Sequence, residues 1–172
     1  MATVNDIYDF LNDLAPVRYQ MDFDNAGFLV GDGSATVERV LLALDITDEV
    51  IAEAAALHAQ LIVSHHPLIF TPLRRATADD LTGRKVLALA RNGIAAICMH
   101  TNLDIADGGV NDALAAALGL EDPGPLGDPE GLCRMGTLAS PMPLQEFAKH
   151  VCRALQANGV RYAGDSGPVR KV

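Results

Sequence analysis

Short apolar runs and longer segments with helical spacing of apolar residues alternate along the chain. The apolar runs predict buried strands at 37–44 (VERVLLAL), 61–63 (LIV) and 94–99 (IAAICM). Apolar residues at helical spacing predict helices at about 4–15, 48–58, 84–92, 110–118 and 144–155. Further short strands are predicted at 28–30, 133–139 and 160–163, and residues 167–172 are typical of a turn that opens into another strand.

The order of these elements predicts an α/β fold with mixed or parallel sheets flanked by helices. The predicted helix at 48–58 lies between two apolar strands, a pattern that favours a parallel crossover unit. Three Pro and three Gly at 121–131 (EDPGPLGDPEG) predict a connector. We therefore expect an α/β domain at 1–120 and a second lobe, or a continuation, at 132–172. Nothing terminates the last predicted strand, so we expect the chain to be a fragment of a longer polypeptide.

The amino-acid composition argues against several classes of function. The chain has 172 residues, of which 49% are hydrophobic, and its 22 acidic and 13 basic residues give a net charge of −9. This balance disfavours extended nucleic-acid binding, which needs clustered basic residues. The three cysteines form no C-x-x-C pair, which argues against a disulfide framework or a thiolate zinc site. No signal peptide and no membrane-length apolar run is evident, so we expect a cytoplasmic protein without a membrane partner.

Histidines follow two of the predicted buried strands. His65 and His66 come directly after the strand that ends near Ser64, and His100 and Asp104 follow the strand that ends near Met99. Ligands of open α/β sheets gather beyond the carboxyl ends of the strands. Imidazole and carboxylate together suit Zn, Mn, Fe, Co or Ni. A histidine pair at a strand end is also compatible with two ordinary solvated side chains, so the pair alone does not decide between these interpretations.

Several other polar residues have ordinary structural interpretations. Asp104 and Asp45 are compatible with caps or turn residues, and residues 24–27 (DNAG) are compatible with a tight turn. Cys98 is typical of a small buried strand residue. His58 and His150 lie in predicted helices without a ligand pattern. The phosphate-binding loop, the G-x-G-x-x-G fingerprint and the G-x-S-x-G elbow are absent from the sequence.

Four motifs in a fixed order resemble one known family. They are residues 24–31 (DNAGFLVG), 64–70 (SHHPLIF), 100–104 (HTNLD) and 109–112 (GVND). Together they resemble the Nif-three-like family of dinuclear metal-centre proteins, also called GTP cyclohydrolase I type 2 homologues. The resemblance extends from about residue 3 to the end and includes 160–164 (VRYAG).

The resemblance implies a Nif-three-like α/β fold, two divalent metal ions per subunit and a homohexamer. It places the metal-binding histidine pair on His65 and His66 and the bridging carboxylate on Asp104. His100 would lie beside them as a substrate contact or as the catalytic base. The family's remaining ligands come from a C-terminal His-x-x-x-Glu motif, which this chain lacks because His150 is followed four residues later by Ala154.

The function implied by the resemblance is a two-metal hydrolase that acts on a nucleotide or a related small molecule. For a GTP cyclohydrolase, the attacked atom would be C8 of guanine, with ring opening and release of formate. A metal-dependent phosphoesterase is a further alternative, although the Asp that precedes the histidine pair in the DHH phosphoesterases is Ser64 here. A metal-binding, metal-handling or interaction protein without turnover is also compatible with the motifs, because metal ligands do not specify a substrate.

Overall fold

The computed structural model describes residues 1–127, 131–164 and 167–172. Contacts within the chain divide it into two compact units, Met1–Ala106 and Asp107–Val172. The sequence predicts the boundary later, at 121–131, and that domain assignment stays a prediction. Of the predicted connector, residues 128–130 lie outside the described part of the chain.

The first unit contains a four-stranded sheet and four α-helices. Its strands are β1 (Gly27–Val30), β2 (Val40–Ala43), β3 (Leu61–Ser64) and β4 (Ala95–Cys98), in the sheet order β1-β4-β3-β2. Strands β2, β3 and β4 are mutually parallel, and β1 pairs with β4 in the antiparallel sense. The helices are α1 (Val4–Leu14), α2 (Asp48–Ala56), α3 (Leu81–Asn92) and α4 (Thr101–Ile105). A short 3-10 helix at Val17–Tyr19 follows α1.

Alternating side chains of the central strands pack into two separate hydrophobic cores. Leu61 packs in a cluster with Val4 of α1, whereas its neighbour Ile62 packs in a second cluster with Ile51 of α2 and Leu89 of α3. This two-residue alternation is the strand period, and it places helices on both faces of the sheet. The predicted α/β fold is confirmed.

Local signals in the sequence set the helix ends. Thr3 caps α1 with a complete capping box, in which the Thr3 side chain accepts from the Asp6 backbone N–H and Asp6 accepts from the Thr3 backbone. The Thr47 side chain accepts from the Val50 N–H and caps α2. Gly93 ends α3 in the left-handed conformation, with φ 64°.

The second unit contains a three-stranded antiparallel sheet and two α-helices. The strands are β5 (Glu121–Pro125), β6 (Arg134–Pro143) and β7 (Pro168–Lys171), in the order β5-β6-β7, and the helices are α5 (Val110–Ala117) and α6 (Leu144–Ala154). Helix α5 is tied to this unit because Asp112 pairs with Arg134 and the Asn111 side chain donates to the Leu132 carbonyl. None of the helices in the described ranges is long and apolar enough to cross a bilayer.

Two sequence predictions are corrected by the structure, and one short helix was not predicted. Residues 121–125 form strand β5 although they belong to the predicted connector; β5 is an edge strand, where prolines are tolerated. Residues 160–163 form no strand, and all four are exposed. The short helix α4 was not apparent from the sequence, because its five residues are too few for a helical period.

Candidate metal centre

The parallel strands bring three polar segments to one edge of the first unit's sheet. Asp45 follows β2, the His65–His66 pair follows β3, and His100 follows β4. The strand ends are in register, because Ala43 lies opposite Ser64 and Ser64 lies opposite Cys98. Side chains separated by many residues in sequence therefore meet where the strands end, as expected for a ligand site of an open α/β sheet.

Asp24 reaches the same edge by a different route. Strand β1 is antiparallel to β4, so its first residue, Gly27, lies opposite Cys98 at the end of β4. The residues that precede β1 consequently lie beside the residues that follow β4. The Asp24 carboxylate accepts from His100 Nδ1 at 2.8 Å.

The rings of His65, His66 and His100 form a compact cluster. Their centroids are 5.1 Å apart for His65 and His66, 5.2 Å for His65 and His100, and 5.7 Å for His66 and His100. One ring nitrogen from each histidine lies within 4.8 Å of the others, so these three residues could hold a metal ion. Adjacent residues of a straight strand point to opposite sides, and the chain turns at His65 and His66 so that both rings face the cluster.

Each histidine is oriented through its Nδ1 atom. His65 Nδ1 lies 2.9 Å from the Met99 carbonyl oxygen, and His66 Nδ1 lies 2.9 Å from Asp45 Oδ1. The Nδ1 atom of His100 likewise contacts Asp24, so the Nδ1 atom of each of the three histidines lies beside an oxygen that accepts a hydrogen bond. In the neutral rings Nδ1 therefore carries the proton, and the lone pair lies on Nε2. This arrangement is typical of metal-ligating histidines.

Two buried donors fix the carbonyl groups of the histidine pair. The Ser64 hydroxyl donates to the His66 carbonyl at 2.9 Å, and the Cys98 thiol donates to the His65 carbonyl at 3.0 Å. Burial, together with the negative charge of Asp24 and against an opposing hydrogen bond with Ser64, raises the pKa of Cys98 to about 12. At neutral pH Cys98 is therefore a thiol that donates a hydrogen bond and not a thiolate nucleophile.

Asp24 is the most enclosed acidic group at the site. Its side chain has 0% exposure, and its carboxylate accepts from the Asn25 N–H, the Thr101 N–H and the Thr101 hydroxyl in addition to His100. Burial acts to raise the pKa of Asp24, but these hydrogen bonds outweigh burial and hold the pKa below its ordinary value. Asp24 is thus an ionised, fully partnered carboxylate beside the cluster.

Asp104 lies within α4, next to the cluster. Its Oδ1 atom is 3.7 Å from His65 Nε2. Two atoms that bind one ion through bonds of about 2.1 Å lie no more than about 4.2 Å apart, so this separation fits two ligands of a shared ion. The buried Asn102 holds α4 in place, because its side chain accepts from the His100 N–H at 2.9 Å and donates to the Ala15 carbonyl at 2.7 Å.

The structure thus brings together His65, His66, His100 and Asp104, the four residues singled out from the sequence. Their roles as ligands or as a catalytic base stay predictions. Sequence reasoning missed that Asp24 and Asp45 are the hydrogen-bond partners of His100 and His66. Asp45 gave a signal in the sequence, because it follows an apolar strand as the histidines do, whereas Asp24 precedes its strand and gave none. His58 is exposed, and His150 Nε2 bonds the Leu118 carbonyl in the second unit, so neither joins the cluster.

Comparison with known proteins gives one family over nearly the whole chain. The family model described as Duf34/NIF3 (NGG1p interacting factor 3) matches residues 2–172. A relative from Clostridium perfringens, named GTP cyclohydrolase 1 type 2 homolog, is 39% identical over 98% of this chain and 66% of its own length. A relative of the same name from Clostridium acetobutylicum is 34% identical over 94% of this chain and 63% of its own length.

Solved structures agree with the sequence comparison. The crystal structure of a Bacillus cereus protein related to NIF3 superposes with a TM-score of 0.86 at 25% identity, over 99% of this chain and 75% of that chain. The chain spans about two thirds of the length of the two Clostridium relatives.

Proposed function

Because the chain belongs to the Duf34/NIF3 family, we propose that it forms the metal-binding part of a divalent-metal-dependent hydrolase that acts on a nucleotide or a related small molecule. The observation that carries this proposal is the convergence of three imidazoles whose Nδ1 atoms are all engaged, which leaves each Nε2 lone pair to bind a metal ion or to accept a proton. The names of the relatives support the reaction class, since both are called GTP cyclohydrolase 1 type 2 homologs.

The donor set fits a divalent transition metal. His65, His66 and Asp104 would be the ligands, and the family resemblance predicts two ions, with Zn, Mn, Fe, Co and Ni as candidates. Divalent ions held there would supply Lewis-acid chemistry, which polarises a substrate bond toward attack by water. The homohexamer and the cytoplasmic location stay predictions.

His100 is the best candidate for the proton-transfer group of the site. Its Nδ1–H donates to the ionised Asp24, so Nε2 is the basic nitrogen and can accept a proton from water. Asp24 would also stabilise the imidazolium that forms when His100 accepts this proton. The His100 side chain is 19% exposed, so part of the ring is within reach of a small molecule.

Metal binding is tested by measuring the metal content of the purified protein and of a His65→Ala variant after equilibration with each candidate ion. We expect the wild type to retain divalent metal and His65→Ala to bind it at least about tenfold more weakly. His58→Ala is the matched control, because His58 lies outside the cluster and is exposed. A His65→Ala protein that keeps all its metal would contradict the ligand assignment.

Turnover is tested separately by incubating the metal-loaded protein with GTP and measuring released formate. General phosphoester substrates, assayed in parallel, examine the phosphoesterase alternative. Bound metal without turnover of any of these substrates would instead favour a metal-handling or interaction protein. We expect formate release from GTP that His100→Ala abolishes while metal remains bound.

A further inference from the structure

A second feature of the first unit lies directly after the histidine pair. The segment between β3 and α3, with the start of α3, lines a half-open cavity of about 730 Å³. Polar groups in its lining come from Thr71, Arg74, Arg75, Asp80 and Thr82. A cavity of this size is within the range of small-molecule sites.

Arg74 and Arg75 are two adjacent charged groups of this lining. Within the described ranges, neither the Arg74 nor the Arg75 guanidinium forms an ion pair or a hydrogen bond, and both residues are exposed. By contrast, Arg84 on α3 is paired with Asp48. Adjacent unpaired arginines are notable in a chain of net charge −9, where carboxylates outnumber basic groups.

The acidic groups near the cavity are already engaged elsewhere. Asp80 is the N-cap of α3, and its carboxylate accepts from the Gly83 N–H at 2.7 Å. Asp79, next to it, accepts a hydrogen bond from Thr77. The start of α3 adds backbone N–H groups and the positive end of a helix dipole to the side of the cavity that contains Thr82.

The cavity adjoins the histidine cluster through Phe70. The Phe70 ring lines the cavity, and it also lies edge-on to the His100 ring with centroids 6.5 Å apart. The Asn25 side chain donates to the Ile69 carbonyl at 2.6 Å, which ties this segment to the residue next to Asp24. One small molecule could therefore occupy the cavity with one end and reach the histidines with the other.

We propose that Arg74 and Arg75 bind the phosphate groups of the substrate whose reacting part lies at the histidine cluster. This inference rests on the proposed function and deepens it by naming phosphorylated small molecules as the substrate class. Guanidinium groups bind phosphate oxygens through paired charge-assisted hydrogen bonds, and the Thr71 and Thr82 hydroxyls add neutral donors. Asp80 also lines the cavity, and its negative charge favours phosphate beside the arginines over phosphate beside this carboxylate.

The test uses tripolyphosphate and GTP as probes in isothermal titration calorimetry at low salt. Wild type, an Arg74→Gln/Arg75→Gln double variant and Arg91→Gln are each titrated as purified and after treatment with EDTA. Arg91 is the matched control, because it is an exposed arginine in the last turn of α3, about 13 Å along the helix from Thr82. We expect the double variant to bind both probes at least about tenfold more weakly, and Arg91→Gln to match the wild type.

Equal affinity of the double variant and the wild type would overturn the proposal, and so would the absence of saturable binding of both probes by the wild type. The EDTA-treated samples report phosphate binding without metal, so this result does not depend on turnover or on the histidine ligands. Unchanged metal content in the double variant shows that the histidine site is intact. Failure of the hydrolase proposal would appear instead as missing formate release with the phosphate binding retained.

Discussion

The histidine cluster is flanked by two carboxylate–imidazole pairs that are alike in contact and different in surroundings. His100 Nδ1 lies 2.8 Å from Asp24, and His66 Nδ1 lies 2.9 Å from Asp45. Asp24 and His100 have side-chain exposures of 0% and 19%, whereas Asp45 and His66 have exposures of 56% and 44%. The same hydrogen bond thus occurs once inside the protein and once at its surface.

Burial decides what each carboxylate contributes. Asp24 also accepts from the Asn25 N–H and from the N–H and hydroxyl of Thr101, so its removal leaves several enclosed donors without an acceptor. Asp45 faces water, which can replace it as a partner of His66, and exposed pairs contribute little to stability. The cluster therefore has a fixed side at His100 and an adjustable side at His66.

The largest effect is expected when Asp24 is replaced by Asn. The amide keeps the shape of the carboxylate but places an NH2 group against one set of donors, and the charge is lost. We expect a loss of about 3 kcal/mol in the free energy of unfolding, measured by urea denaturation, because hydrogen bonds to a buried charged group are lost. Metal should stay bound, whereas formate release from GTP should fall at least about tenfold, because the carboxylate no longer orients His100 as the proton-transfer group.

A small loss of stability in Asp24→Asn would contradict the distinction between the buried Asp24–His100 pair and the exposed Asp45–His66 pair. If Asp24→Asn unfolded at the same urea concentration as the wild type, the enclosed network would not be a stabilising element. Asp9→Asn serves as a control for loss of one acidic charge, since Asp9 is an exposed carboxylate of α1.

Most of the fold follows from patterns within a few residues. Continuous apolar runs predicted β3 and β4, and the Thr3 and Thr47 caps predicted the starts of α1 and α2. Each of these signals lies within the element itself and does not depend on distant residues. Strand β5 escaped prediction because its stability comes from pairing with β6, which its own proline-rich sequence does not reveal. The predicted strand at 160–163 failed for the opposite reason, since four residues with strand propensity have no partner strand there.

The candidate site was predictable only in part. His65, His66, His100 and Asp104 follow the ends of apolar runs, and the family motifs agreed with that choice. Asp24 lies 76 residues from its partner His100, and in sequence it is indistinguishable from an Asp in a tight turn. Its role depends on the antiparallel direction of β1, which brings the start of that strand to the ends of the others. Strand direction is a property of the whole sheet and is not encoded in one segment.

A stability effect of intermediate size is expected at Cys98, the buried thiol that donates to the His65 carbonyl. Burial raises the pKa of this thiol to about 12, above its value of about 8.5 in an unfolded chain. The folded state retains the proton more strongly, so the stabilisation is complete below pH about 8.5 and is lost as pH rises toward 12. Relative to Cys98→Ser, the wild type should lose about 2 kcal/mol between pH 8.5 and about 10.5, measured by urea denaturation.

A difference between wild type and Cys98→Ser that stays constant over this pH range would show that the thiol is not enclosed as the structure has it. Cys133→Ser is the matched control, because the Cys133 side chain is exposed. We expect its stability to follow the wild-type pH dependence throughout.

The smallest effect is expected for Asp45→Asn, the same substitution on the adjustable side of the cluster. Water replaces the lost oxygen at this exposed pair, so the free energy of unfolding should change by less than about 0.5 kcal/mol. Whatever change occurs should shrink further in 1 M salt, since exposed charges are screened. Metal affinity, measured by competition with a chelating dye, should fall by less than about tenfold, because water can replace Asp45 as the partner of His66. An Asp45→Asn protein as unstable as Asp24→Asn would mean that the carboxylates at the two sides contribute equally and that burial does not distinguish them.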